Sequence, residues 1–281
     1  MTSLRSIKPL LTASNYRVRF RLKTLFLEIK FLLKMVYEVV SRKKIKEERF
    51  LGYRVTFPSF MDFFCLFVEI FGIQEYKFIS SKESPFIIDC GSNWGMSIIY
   101  FKYFYPHARI IAIEANKNTV EYLKNNIKLN NFSGITVYNA VLAEQEGIHP
   151  FFINNKNDGW SLSDTGVTNA VSSRSDFSQV MVKTIQLSKL LTQKIDLLKL
   201  DIEGMEGEVL HEARHKLHII NEIILEYHGS MNTSKYLFNT ITSLLKKSGF
   251  VYIISSGKNL IPQSLSNGLR IIQAVNRNNI T

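Results

Sequence analysis

Asp89, Gly91, Asn93 and Gly95, with Glu114 about twenty positions on, have the types and spacing needed to hold a nucleotide-like ligand. The apolar run Phe86-Ile-Ile ends in an acid, two glycines bracket Asn93, and a helical pattern follows. A strand, a tight turn and a helix N-terminus in that order make a cradle for such a ligand. Gly91 and Gly95 let the backbone approach it and take positive φ. A second apolar run, Ile110-Ile-Ala-Ile, closes on Glu114, whose carboxylate can accept from both hydroxyls of a ribose. Asp89 either orients the loop or faces a cationic end of the ligand. The pattern is not the dinucleotide fingerprint, which needs glycine where Asn93 stands.

A second constellation is Ile195-Asp-Leu-Leu-Lys-Leu-Asp-Ile-Glu-Gly-Met-Glu206. A buried strand ends at Asp201, and Glu203, Gly204 and Glu206 open a helix. Ligands of open α/β sheets bind at the carboxyl ends of strands, so Asp201 and Glu203 are expected in the cleft. Glu203 and Glu206 also suit a helix N-terminus on charge alone. The run Ile223-Ile-Leu-Glu-Tyr-His228 brings a further acid and an imidazole to the same rim.

The elements that position these residues are strands at about 86–90, 109–114, 135–141, 196–201, 222–228, 249–256 and 269–276. Helices are expected over 95–105, 117–130, 204–216 and 233–248. Such alternation implies an α/β fold with a mostly parallel, doubly wound sheet covered on both faces. Residues 142–192 interrupt it: strands at 148–154 and 180–187 flank a polar loop or lid containing Trp160. Trp160 either stacks on a sugar ring, covers the cofactor, or anchors the loop. Upstream, residues 1–15 read as a loose terminus, 16–48 as one long helix, and Phe60 to Phe71 as an aromatic-rich helix.

These motifs resemble the FkbM family of S-adenosylmethionine-dependent methyltransferases. The likeness covers residues 50–255 and rests on Glu69-Ile-Phe with Tyr76, Ile87 to Ser97, Phe101-Lys, Tyr105-Pro, Ile113-Glu-Ala-Asn116, Asn125-Asn, Asn139-Ala-Val, Leu198 to Glu206, Val209-Leu and Glu226-Tyr-His228. Ala115 and Trp94 depart from it, where proline and a smaller apolar residue are usual. The resemblance implies a Rossmann-like class I methyltransferase domain over 51–281, with seven strands ending in an antiparallel hairpin, a lid at 142–192, and a helical extension at 1–50. It implies S-adenosylmethionine as cofactor, held by Asp89, Gly91, Asn93, Gly95, Glu114, Asn139 and Ala140. The acceptor it implies is a hydroxyl of a sugar, glycan or related small molecule. His228, Asp201 and Glu203 are the expected catalytic group.

Rival chemistries are weaker. His211-Glu-Ala-Arg-His215 matches the zinc-protease signature, but Val209 and Leu210 of the same helix must pack on the sheet. The D-x-x-D-N pattern of metal-dependent O-methyltransferases is missing after Asp201, so no metal is expected. The motif of amino-directed nucleic-acid methyltransferases is also missing. Protein or RNA methylation, and a non-catalytic docking module, stand as the alternatives.

The net charge of +11 sits in the N-terminal arm, where residues 1–54 hold 14 Lys/Arg against 4 Asp/Glu. The remainder is near neutral, which argues against nucleic acid as partner. Helix 16–48 places Arg19, Lys23, Lys30, Lys34 and Glu38 on one side and Leu25, Ile29, Leu32, Leu33, Val36 and Val40 on the other. It either packs on its own domain or a partner subunit, or lies on an anionic membrane surface. Two cysteines and no secretory signal lead to a cytoplasmic expectation, with peripheral contact at the inner membrane face under the second option.

Overall fold

The computed structural model describes residues 8–154, 177–228, 238–256 and 269–277. Trp160 and residues 155–176 of the expected lid lie outside them. The chain divides into two compact units, Met1–Glu75 and Tyr76–Thr281. Residues 51–75, expected with the larger domain, cluster with the N-terminal unit instead, because their phenylalanines build that unit's core.

In the first unit, α1 runs over Lys8–Ser41. Residues 8–15 are thus helical, not a loose terminus, and the helix ends seven residues before position 48. Arg42 takes a left-handed φ of 57°, which terminates it. The hairpin β1 (Glu47–Phe50) and β2 (Tyr53–Thr56) follows. Leu51 and Gly52 turn between the strands with φ of 50° and 90°, the positive pair that a two-residue hairpin favours. Helix α2 (Phe60–Phe67) starts at Ser59, whose hydroxyl accepts from the Asp62 N–H, and runs into a π-helical turn over Val68–Ile73. Phe31 is fully buried, with the rings of Phe50, Phe60, Phe63 and Phe67 at 4.9–6.4 Å.

The second unit is built on seven strands: β3 (Phe86–Cys90), β4 (Arg109–Glu114), β5 (Ile135–Asn139), β9 (Ile195–Leu200), β10 (Ile220–His228), β11 (Phe250–Ser256) and β12 (Leu269–Asn276). Their spatial order is β11-β12-β10-β9-β3-β4-β5. The pairs from β10 to β5 are parallel, and β12 is antiparallel to both its neighbours. Every residue of β3 and β9 is buried, as central parallel strands covered on both faces must be. Helices α3 (Met96–Phe104), α4 (Lys117–Leu129), α5 (Leu187–Leu190), α6 (Glu206–Glu212) and α7 (Phe238–Lys247) lie between the strands.

The third strand of the alternation is shorter than expected. It stops at Asn139, and β6 (Val141–Leu142) leaves to join a separate three-stranded sheet with β7 (Gly147–Asn154) and β8 (Phe177–Ile185). The Ala140 N–H donates to the Glu114 carbonyl at 3.1 Å, the last bond to β4 before the chain turns away.

Candidate functional site

The parallel strands β3, β4, β9 and β10 end at one edge, which carries the residues singled out from sequence. The loop after β3 holds Gly91 (φ 77°), Asn93 (φ 49°) and Gly95 (φ 98°) in left-handed conformations. The glycines are needed for packing as much as for ligand approach. A β-carbon on Gly91 would lie 1.7 Å from the Asp201 carbonyl oxygen, and one on Gly95 2.8 Å from Leu123 Cδ1.

The Glu114 carboxylate secures this loop. One oxygen accepts from the Asn93 N–H at 2.9 Å, the other from the Asn116 N–H at 2.8 Å. Asn139 is exposed beside it, its amide nitrogen donating to the carbonyls of Glu114 and Ala115 at 3.0 and 2.7 Å.

Asp89 takes the inward of its two expected orientations. It is fully buried, accepts from the Ser97 hydroxyl at 2.6 Å, and lies 3.4 Å from Lys199 Nζ. Lys199 carried no role in the sequence reading, yet it ties the site together. Its ammonium donates to the Gly91 and Cys90 carbonyls at 2.7 and 3.2 Å and stands 3.3 Å from Asp201 Oδ2. Burial works against its charge, but Asp201, Asp89 and Glu226 outweigh that and raise its pKa. The one available signal was a lysine within the apolar run Leu197–Leu200, which must find partners inside.

Asp201, Glu203 and His228 come together. His228 Nε2 lies 3.2 Å from Glu203 Oε2 and 3.8 Å from Asp201 Oδ1, and its Nδ1 lies 3.1 Å from Glu206 Oε1. Tyr76 donates to Asp201 Oδ2 at 3.0 Å. Glu203 takes φ 55°, which an unbranched acid tolerates poorly; such strain gathers at functional sites. Burial opposes a charge on His228, but Glu203, Glu206 and Glu226 raise its pKa well above the ordinary 6.5. The surrounding carboxylates therefore favour the charged imidazole.

Asp201, Glu203 and His228 also offer ligand atoms within 4.8 Å of one another, close enough for a metal ion. Lys199 Nζ stands 3.3 Å from Asp201 Oδ2 and would share that carboxylate with any ion. The zinc-protease likeness has no geometry behind it. Helix α6 ends at Glu212, before His215, and both Glu212 oxygens accept from Ser188.

Sheet order and acid-tipped strands together define a class I methyltransferase fold. A family model for the methyltransferase FkbM domain matches residues 89–252, more than half of the chain, and the protein belongs to that family. Methyltransferase 1 of Beauveria bassiana (strain ARSEF 2860) is 28% identical over 204 residues, spanning 66% of this chain and 80% of that protein. Methyltransferase sdnD of Sordaria araneosa is 30% identical over 172 residues, 52% of this chain and 66% of its own length. The crystal structure of methyltransferase FkbM from Methylobacillus flagellatus KT superposes with a TM-score of 0.47 at 16% identity, over 69% of this chain and 44% of that one.

Proposed function

We infer that this enzyme methylates a hydroxyl of a sugar, glycan or related metabolite, with S-adenosylmethionine as donor. The observation that carries this reading is the convergence of the Asp201 and Glu203 carboxylates on a charged imidazole at the strand edge that holds the glycine loop.

The residues fit the cofactor. Glu114 ends β4 beside the glycine loop, where a ribose diol would sit, Asn139 and Ala140 border the position of a base, and the loop Gly91–Gly95 presents backbone to an amino-acid end. When bound, S-adenosylmethionine supplies an electrophilic methyl group. Asp89 acts from beneath, fixing the loop through Ser97 and Lys199.

A sugar hydroxyl is a poor nucleophile at neutral pH, and a positioned base contributes about 10²–10⁴-fold. Because the surrounding carboxylates favour the charged form of His228, we assign that role to Asp201 or Glu203. His228 holds the two carboxylates in place by charge, and Tyr76 fixes the orientation of Asp201. Positioning of the acceptor oxygen supplies much of the remaining rate. No step needs a divalent ion, so turnover should survive a chelator.

Calorimetric titration with S-adenosylmethionine tests the reading. Wild type should bind and Glu114→Ala should bind at least about tenfold more weakly, the loss of a charged hydrogen-bond acceptor. A folded wild type that does not bind would sink the enzyme reading. Turnover on a panel of sugars, lost in Glu203→Gln or Asp201→Asn with cofactor binding intact, would identify the base.

A further inference from the structure

Helix α1 buries an unexpected face. Among its described side chains, Phe20, Thr24 and Phe31 are the buried ones, and Phe31 enters the phenylalanine cluster of its own unit. The apolar stripe read from sequence points the opposite way. Eleven large apolar side chains between Val18 and Val40 are exposed, among them Leu22 (61%), Leu33 (65%) and Val40 (78%).

At 100° per residue, Leu22, Leu25, Ile29, Leu33, Val36 and Val40 fall in an arc centred about 160° from Phe31. No charged residue interrupts the middle of this arc. It runs for about 27 Å, well beyond the scattered apolar residues of an ordinary soluble surface.

Charge is arranged around the stripe. Lys30 and Lys34 on one border turn inward to the buried Glu48. Arg19 and Lys23 on the same border are exposed, as are Arg42, Lys43, Lys44 and Lys46 just beyond the helix end. The apolar face thus has cations along one edge and at one end. An anionic lipid surface receives this arrangement directly, with the stripe among acyl chains and the cations at headgroup level. A second copy of the chain fits it poorly, because two arms of 14 basic and 4 acidic residues would be pressed together. No described helix is long and apolar enough to cross a membrane.

We propose that α1 docks this enzyme in the plane of an anionic membrane surface, with the Leu22–Val40 stripe as the inserted face. The test is co-sedimentation of the full chain with vesicles of phosphatidylcholine alone and of phosphatidylcholine with phosphatidylglycerol. Wild type should pellet with the anionic vesicles and bind the neutral ones at least about tenfold more weakly. Leu25→Glu/Ile29→Glu/Leu33→Glu changes only exposed positions and should bind the anionic vesicles at least about tenfold more weakly, with circular dichroism unchanged. Arg42→Ser/Lys43→Ser/Lys44→Ser should lose about 100-fold on anionic vesicles and little on neutral ones. Failure of wild type to bind, or unaltered binding by the apolar variant, would overturn the proposal. So would a wild-type dimer in solution that the apolar variant converts to monomer, which would assign the stripe to a second copy.

Discussion

A β-carbon on Gly91 would stand 1.7 Å from the carbonyl oxygen of Asp201. The glycine loop after β3 and the acidic tip of β9 are therefore built in close backbone contact. Gly91→Ala should separate them, costing about 1–2 kcal/mol for the positive φ and more for the collision. Gly52, at φ 90° with nothing within 4 Å, is the control: Gly52→Ala should cost the φ penalty alone. Denaturant unfolding measures both. Equal losses would mean that the contact does not constrain the loop.

Lys199 is a buried cation between Asp89 and Asp201. Lys199→Met should destabilise the protein by about 3–5 kcal/mol, because two carboxylates lose their compensation. Lys199→Met with Asp89→Asn should recover part of that loss. A double variant as unstable as the sum of the singles would show that Lys199 and Asp89 are energetically independent.

The His228 cation has a pH signature. Its folded pKa lies above the unfolded 6.5, so its stabilising contribution is complete below 6.5 and disappears as pH rises through the folded value. The stability gap between wild type and His228→Gln should therefore narrow on the alkaline side. The rate profile should hold its plateau down through neutral pH, since the imidazolium is not the base. An activity that rises only above neutral pH, and loses that rise in His228→Gln, would return the base to histidine.

Glu222 titrates in the opposite sense. Burial in β10 raises its carboxyl to about 7, above the ordinary 4.5. An acid whose folded pKa is raised costs stability as pH climbs from 4.5 towards 7. Glu222→Gln should raise Tm at pH 8 and leave it nearly unchanged near pH 4. A variant without gain at pH 8 would mean that Glu222 is stabilised as an anion.

Much of this protein was legible in its sequence, because local pattern carries the signal. Apolar-rich runs ending in acids located β3, β4, β9 and β10, and the glycines around Asn93 marked the loop between β3 and α3. Strand alternation fixed a parallel sheet, since each helix must carry the chain back across it. Other features needed the tertiary structure. The partners of Lys199 lie 108 and 109 residues away, and no local pattern reports such a distance. The proton on His228 depends on carboxylates from both the β9–α6 turn and β10. Helix α1 shows the limit most plainly. Periodicity found its apolar stripe, but the helix also carries Phe20 and Phe31 on another side, and packing chose those. The hydrophobic effect rewards any apolar face that finds a partner, and only the fold decides which face that is.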